Sequence, residues 1–382
     1  MRLLFLSCDP GIPVLGHKGA SVHVRELAGA LSHLGADVAI ASPRTEPAGD
    51  VLNAQVAVMP IPPLPPKAAE GDLRAALESQ RDAVVNATRS FAAEALYERY
   101  SLFGGAGVEA AVRLGIPHVL EVNAPLRAEA RRFRTLPHPR LAADIEGTVF
   151  RGTNRIMAVS QALRGWLEEE GVEPERIEVV PNAVAPSHIG RRRSRNDNEF
   201  VLGFCGSLKA WHGIDVLLEA CSIAFAQEPT LRLEVVGSGP LEHLLETTNL
   251  PPQTVRVFGA LPHSEALEHL RSWDVGVAPY LPLENFYFSP LKVVEYMAVG
   301  LCPVASDLGD LPALLDDGSR GLLVRAGDAD RLASAFLELA RDRERAADLG
   351  RRAREYVLDA HTWEKDARVV LDSFRAWGEL AA

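Results

Sequence analysis

The chain has 382 residues, 47% of them apolar and 24% charged, which exceeds what one hydrophobic core usually organises and suits two domains. A net charge of -11 at pH 7 excludes a general nucleic-acid binder, whose affinity comes from an excess of Lys and Arg, so any bound anion must be gripped locally. Cys8, Cys205, Cys221 and Cys302 have neither metal nor redox spacing and read as reduced, buried thiols of a cytoplasmic protein, and the apolar run after Met1 and Arg2 stops at Asp9-Pro10, too short for a signal peptide or membrane span.

Leu3 to Ser7 reads as a strand, and Ser21 to Leu34 as a helix with Val24, Leu27, Ala28 and Leu31 on one face before Gly35, a C-terminal cap. Val38 to Ala41, Val56 to Met59, Ala95 to Tyr97, His118 to Val122, Arg155 to Val159 and Ile177 to Val180 continue the strands. Alternation of strand and helix predicts a parallel sheet covered on both faces. Pro60 to Pro66 reads as an extended, exposed connection. Between Val184 and Asn198 the composition turns polar and basic, with Arg191, Arg192, Arg193 and Arg195. This predicts a linker over 186–198 between an N-terminal domain, 1–185, and a C-terminal domain, 199–358.

A second alternation follows at once, with Phe200 to Phe204 as strand, Gly213 to Ala226 as helix, and further strands at Leu231 to Val236, Val255 to Phe258, Val275 to Ala278, Cys302 to Ala305 and Gly321 to Val324. After Asp328 the pattern is helical through Ala329 to Ala340, Arg343 to Val357 and Trp363 to Trp377. The expected fold class is α/β, with two Rossmann-like doubly wound domains and a ligand in the cleft between the carboxyl ends of their sheets.

The densest chemistry lies from Asp274 to Val304, DVGVAPYLPLENFYFSPLKVVEYMAVGLCPV. A strand ends at Pro279 and a helix is expected near Ser289-Pro290, with serine as cap and proline in the first turn. Free amides at that start, with Lys292 beside them, make an anion site. Glu295, three residues on, can accept hydrogen bonds from vicinal hydroxyls such as those of a ribose. The plain alternative is a surface salt bridge from Lys292 to Glu295. Gly206 lets the backbone approach a ligand at a strand end, and Lys209 supplies a point charge. Gly237 and Gly239 permit a similar approach, with an unliganded tight turn as the alternative. Glu242 stands where a dinucleotide fingerprint needs its third glycine, which argues against a nicotinamide enzyme. Asp328-Ala329-Asp330 resembles an acidic metal box, but following Gly327 it reads better as a helix cap.

Taken together these stretches resemble glycosyltransferase family 4, as do Phe204 to Gly213 (FCGSLKAWHG), Val235 to Pro240, Val180 to Val184 and Gly16 to Ser21, in the same order. The resemblance covers most of the chain and implies the GT-B architecture, two Rossmann-like domains with an interdomain cleft. It implies a retaining, metal-independent transferase that moves a hexosyl-type sugar from a UDP- or GDP-sugar to a hydroxyl of a glycan, lipid-linked or small-molecule acceptor. No cofactor beyond that donor substrate is implied. Donor contacts would come from Gly19, Gly206, Ser207, Gly237, Gly239, Pro240, Phe288, Ser289, Pro290, Leu291, Lys292 and Glu295. Lys209, Lys292, Glu295 and Asn123 would carry the chemistry, and His17, Lys18, Glu121, Asn123 and Tyr287 are acceptor-side candidates. A C-terminal helix, 361–382, would pack back on the first domain.

Several positions depart from the family. Asn123 stands where a histidine contacts the transferred sugar, and Tyr287 replaces the first of two glutamates, with Glu284 nearby. Ser207 and His212 replace an arginine and a lysine, leaving Lys209 as the cation of that loop. Two rival functions are a nucleotide-sugar epimerase of the same architecture and a non-catalytic sugar-binding partner subunit. Arg131, Arg132, Arg134 and Arg191 to Arg195 offer a peripheral membrane contact, although such runs are more often solvated faces. The segments Pro10 to Ala20, Pro60 to Asp72 and Leu126 to Leu141 read as acceptor-side loops without decodable chemistry, and no pattern speaks to oligomeric state.

Overall fold

A computed structural model describes residues 1–16, 19–45, 56–133, 135–186, 190, 198–283 and 286–381. The chain divides into two compact units. The first comprises Met1–Pro181, Tyr287–Ser289 and Trp363–Ala382; the second comprises Asn182–Phe286 and Pro290–Thr362.

In the first unit β1 (Arg2–Ser7), α1 (Gly19–His33), β2 (Asp37–Ser42), β3 (Ala57–Pro60), α2 (Glu70–Ser90), β4 (Ala95–Arg99), α3 (Ala106–Leu114) and β5 (His118–Val122) alternate. They are followed by α4 (Leu126–Phe133), α5 (Pro139–Gly152), β6 (Arg155–Ala158), α6 (Gln161–Glu169) and β7 (Ile177–Val179). The strands form one parallel sheet in the order β3-β2-β1-β4-β5-β6-β7. Its central strands are buried on both faces, as apolar runs such as Leu3 to Leu6 require. The order reverses between β1 and β4, and loops at such a switch point leave room for a ligand beyond the carboxyl ends of the strands.

The second unit holds β8 (Phe200–Cys205), α7 (Ile214–Phe225), β9 (Leu231–Val236), α8 (Glu242–Glu246), β10 (Val255–Val257), α9 (His263–Leu270) and β11 (Val275–Ala278). It continues with α10 (Leu291–Val299), β12 (Cys302–Ser306), α11 (Leu311–Leu314), β13 (Leu322–Val324), α12 (Ala329–Arg341) and α13 (Arg343–Ala360). Its parallel sheet runs β10-β9-β8-β11-β12-β13, with the switch between β8 and β11. A parallel bridge from Val184 to Thr362 joins the points where the chain enters and leaves this unit. The last helix, α14 (Trp363–Ala381), lies in the first unit against α1 and β5, where the Trp363 and His23 rings meet edge to face at 4.6 Å.

Three expectations need correction. The connection after β3 is not exposed throughout, since Ile61 and Leu64 are buried and Gln80 Nε2 donates to the Pro62 carbonyl at 2.8 Å. The segment from Leu126 to Leu141 contains α4 and the start of α5, and Arg127 of α4 is held by Glu146 and by Glu170 at 2.7 Å. Finally, α10 begins at Leu291 with Pro290 as its N-cap and no side-chain cap, so Ser289 does not cap it. Parts of the expected linker, 187–189 and 191–197, lie outside the described residues, as does Arg134.

Asp328 does cap α12, its carboxylate accepting the Arg331 amide at 2.9 Å. Asp328→Ala is expected to lower the unfolding free energy by about 1 kcal/mol. Urea titration reads this, and an unchanged midpoint would show that the cap contributes nothing.

Candidate functional site

In the second unit the ends of β8 and β9 lie side by side, with Cys205 in register with Val236, so the turns that follow them meet. Backbone bonds join these turns: the Gly206 amide donates to Val236 at 2.9 Å, Leu208 to Ser238 at 3.0 Å and Leu241 to Leu208 at 3.1 Å. The approach is close enough to demand glycine. Gly237 has φ +142°, and a Cβ there would sit 1.9 Å from the Gly206 carbonyl oxygen. Glu242 closes the second turn by accepting the Gly239 amide at 3.1 Å, and the Pro240 carbonyl faces His243 Nδ1 at 3.0 Å. The turns after β8 and β9 therefore form one rigid rim, built of backbone packed on backbone.

Lys292 sits in the first turn of α10, below that rim. Its Nζ is sealed from solvent and has no hydrogen-bond partner among the described residues. It lies 4.2 Å above the Phe204 ring, 5.3 Å from the Tyr280 ring and 2.8 Å from the point a Gly206 Cβ would occupy. Burial pulls its pKa down to about 7, against weaker upward pushes from Cys205 and Glu295. The surface salt bridge to Glu295 does not form; Glu295 instead accepts from His263 Nε2 at 2.7 Å, at the start of α9. A buried amine with no ion pair among the described residues, boxed by aromatic rings behind a glycine turn, is costly to keep charged.

The neighbouring loop is consistent with this picture. His212 is bonded through Nδ1 to the Ser207 carbonyl, and burial, helped by Lys292 and Lys209, depresses its pKa to about 3. It is neutral and supplies no charge to this turn. Lys209 is exposed, with Nζ 4.8 Å above the Trp211 ring. Leu291 and Pro290 lead into α10, and the Tyr296 hydroxyl, one turn on, accepts the Cys205 amide at 2.8 Å. Sequence reasoning did not single out Phe204, Tyr280, Tyr296 or His263. The first two could have been found as aromatic residues at the ends of the strands that flank the switch point. His263 comes from a separate helix and carries no local signal.

In the first unit, Gly19 is the exposed first residue of α1, while His17 and Lys18 lie outside the described residues, as does Glu284. Tyr287 donates its hydroxyl to Glu129, its carbonyl accepts Ser160 Oγ at 2.8 Å, and its ring lies 4.4 Å from that of Phe288. Ser289 is half-buried beside them. Glu121 is not available as an acceptor contact, because it is buried beneath four donors: His23 Nε2 at 2.8 Å, the Tyr97 hydroxyl at 2.7 Å, Arg99 Nη1 at 2.6 Å and Asn123 Nδ2. Asn123, just past β5, remains half-exposed.

No group of three or more His, Cys, Asp or Glu side chains among the described residues is arranged to hold a metal ion. A surface cavity of about 610 Å³ lies between α7 and α12, lined by Ile223, Ser334 and Arg341, and Lys292 is not part of its lining.

Residues 18–183 match the family model described as "Glycosyl transferase 4-like domain", and residues 199–342 match "Glycosyl transferases group 1". The chain is 27% identical over 303 residues to a D-inositol 3-phosphate glycosyltransferase of Paenarthrobacter aurescens, covering 74% of this chain and 72% of the relative. It is 31% identical over 260 residues to a phosphatidyl-myo-inositol mannosyltransferase of Mycobacterium leprae, covering 62% and 67%. In shape it is similar to sucrose-phosphate synthase from Thermosynechococcus elongatus, with a TM-score of 0.77, 20% identity and 99% of each chain covered.

Proposed function

The chain belongs to glycosyltransferase family 4, of GT-B architecture, and on that premise we propose that it moves a hexosyl-type sugar from a UDP- or GDP-sugar to a hydroxyl acceptor, with retention at the anomeric carbon. The observation that carries the reading is the sealed Lys292 Nζ behind the Gly206 turn, which has no hydrogen-bond partner among the described residues. Departure of the nucleotide diphosphate is the demanding step, since it leaves with negative charge as the anomeric bond breaks. A cation already desolvated beside the ligand meets that charge without reorganising solvent. The flexible lysine stem lets Nζ swing past Gly206, where no side chain stands in the way. Lys209 and the free amides at the start of α10 add to the same field.

The acceptor hydroxyl attacks on the face the leaving group vacates, and a phosphate oxygen takes its proton, so no protein nucleophile is required. The names of the relatives make a phosphorylated polyol, free or lipid-linked, the first acceptor class to test. No helix among the described residues is long and apolar enough to cross a membrane. The decisive assay measures UDP or GDP release from a panel of nucleotide sugars, with and without inositol phosphates, in the presence of a chelator. Acceptor-stimulated release that survives chelation is expected. Binding without release would mark a sugar-binding subunit, and sugar interconversion without release an epimerase.

Nucleotide binding should also depend on pH. Above pH about 7 the Lys292 amine of the free protein is neutral, and a bound diphosphate must recharge it by drawing in a proton. Affinity for UDP is therefore expected to fall as pH rises above 7, by up to about tenfold per unit. Calorimetry in buffers of different ionisation enthalpy counts the proton, and binding without uptake near pH 8, roughly one unit above the lysine pKa, would contradict the assignment.

A further inference from the structure

We propose that Glu121 is a positioning residue for Asn123, fixing its amide so that the carbonyl oxygen turns outward and accepts a hydrogen bond from a ligand hydroxyl. The inference rests on the transferase reading above for the identity of that ligand, and on geometry for the rest. Glu121 takes donors on both oxygens: His23 from α1 and Tyr97 from β4 on Oε2, Arg99 from β4 and Asn123 on Oε1. Burial pushes its pKa up, but His23 and Arg99 outweigh that and hold it well below the usual carboxylate range. An ionised carboxylate only accepts, so Asn123 must present its NH2 group to it, and the planar amide then has one orientation. The outward oxygen has no partner among the described residues. Asn123 follows the last residue of β5, at the carboxyl end of the sheet where ligands of such folds bind. A subsite built this way discriminates between hydroxyls that can donate and groups, such as fluorine, that cannot.

The groups facing this pair are His23, Tyr97, Arg99 and, from α14, Asp366, whose own carboxyl is raised well above its ordinary value by burial and by Glu121. This surrounding makes Asn123→Asp informative. The new carboxyl can keep the orientation only if it is protonated, so that it donates to Glu121 and leaves a bare oxygen outward. Turnover of N123D is expected to fall about tenfold per pH unit above a new ionisation that the unsubstituted protein lacks. Adding Glu121→Gln should move that ionisation down by at least about one unit, by removing the like charge. Folding is checked by thermal unfolding of each variant.

A measurement independent of turnover is the Asn123 side-chain amide in 15N NMR of the unliganded protein. One Nδ2 proton shifted downfield and protected from exchange with solvent is expected. An Nδ2 pair with neither proton shifted nor protected, or an N123D profile that follows that of the unsubstituted protein, would overturn the positioning role. Absent donor turnover with a rigid amide would instead count against the transferase reading and leave the positioning intact.

Discussion

Replacing Lys292 with methionine is expected to lower sugar-transfer turnover by at least about a thousand-fold and, at the same time, to raise the unfolding midpoint. In the proposed reaction the loss follows from removing the charge that would meet the departing diphosphate. The gain follows from what the lysine does to the folded state. Its pKa drops from 10.5 to about 7 on burial, so at pH 7 the native protein carries a penalty of about 4 kcal/mol relative to a solvated lysine. Methionine fills similar volume against Phe204 and Tyr280 without a charge to desolvate. The sign of the pH dependence follows from proton counting. Between about 7 and 10.5 the unfolded chain binds more protons at this site than the native one, so stability of the unsubstituted protein rises with pH across that window. The advantage of K292M is therefore largest below pH 7 and fades towards 10.5. Thermal unfolding of both proteins at several pH values reads it, and a destabilised K292M would contradict a costly buried amine.

The second large effect is expected at Gly237. An alanine there combines φ +142° with a Cβ 1.9 Å from the Gly206 carbonyl oxygen, and neither backbone can move without breaking the bonds that join the two turns. Gly237→Ala should lower stability by about 3–5 kcal/mol and abolish UDP binding, because the Gly206 turn is displaced. Gly259→Ala is the control: it has φ +69° but nothing within 4 Å of its Cβ, so its loss should stay near the roughly 1–2 kcal/mol of a left-handed alanine. Equal losses at the two sites would show that the close approach of the turns contributes no more than backbone conformation.

The alternation of apolar runs and amphipathic helices was enough to read both parallel sheets, because strands buried on both faces, such as Leu3 to Leu6, leave an uninterrupted signal. The glycine turns and Lys292 were equally legible, since each lies directly after a strand or at a helix start. What spacing could not provide was the direction of the side chains. Lys292 and Glu295 are three apart on one helix, yet the lysine reaches back over Phe204 and Tyr280 while the glutamate reaches His263 of α9. Glu121 likewise is an acceptor-side candidate by sequence, and only the meeting of α1, β4 and β5 makes it a buried hub. Ile61 and Leu64 were hidden among prolines, and α4 was short enough to read as loop.

A crystal structure with UDP bound tests the central assignment most directly. The account predicts the diphosphate beside the Gly206 turn at the end of β8, with Lys292 Nζ moved off the Phe204 ring and within hydrogen-bond distance of a phosphate oxygen. UDP bound elsewhere, with Lys292 still boxed between Phe204 and Tyr280, would contradict it.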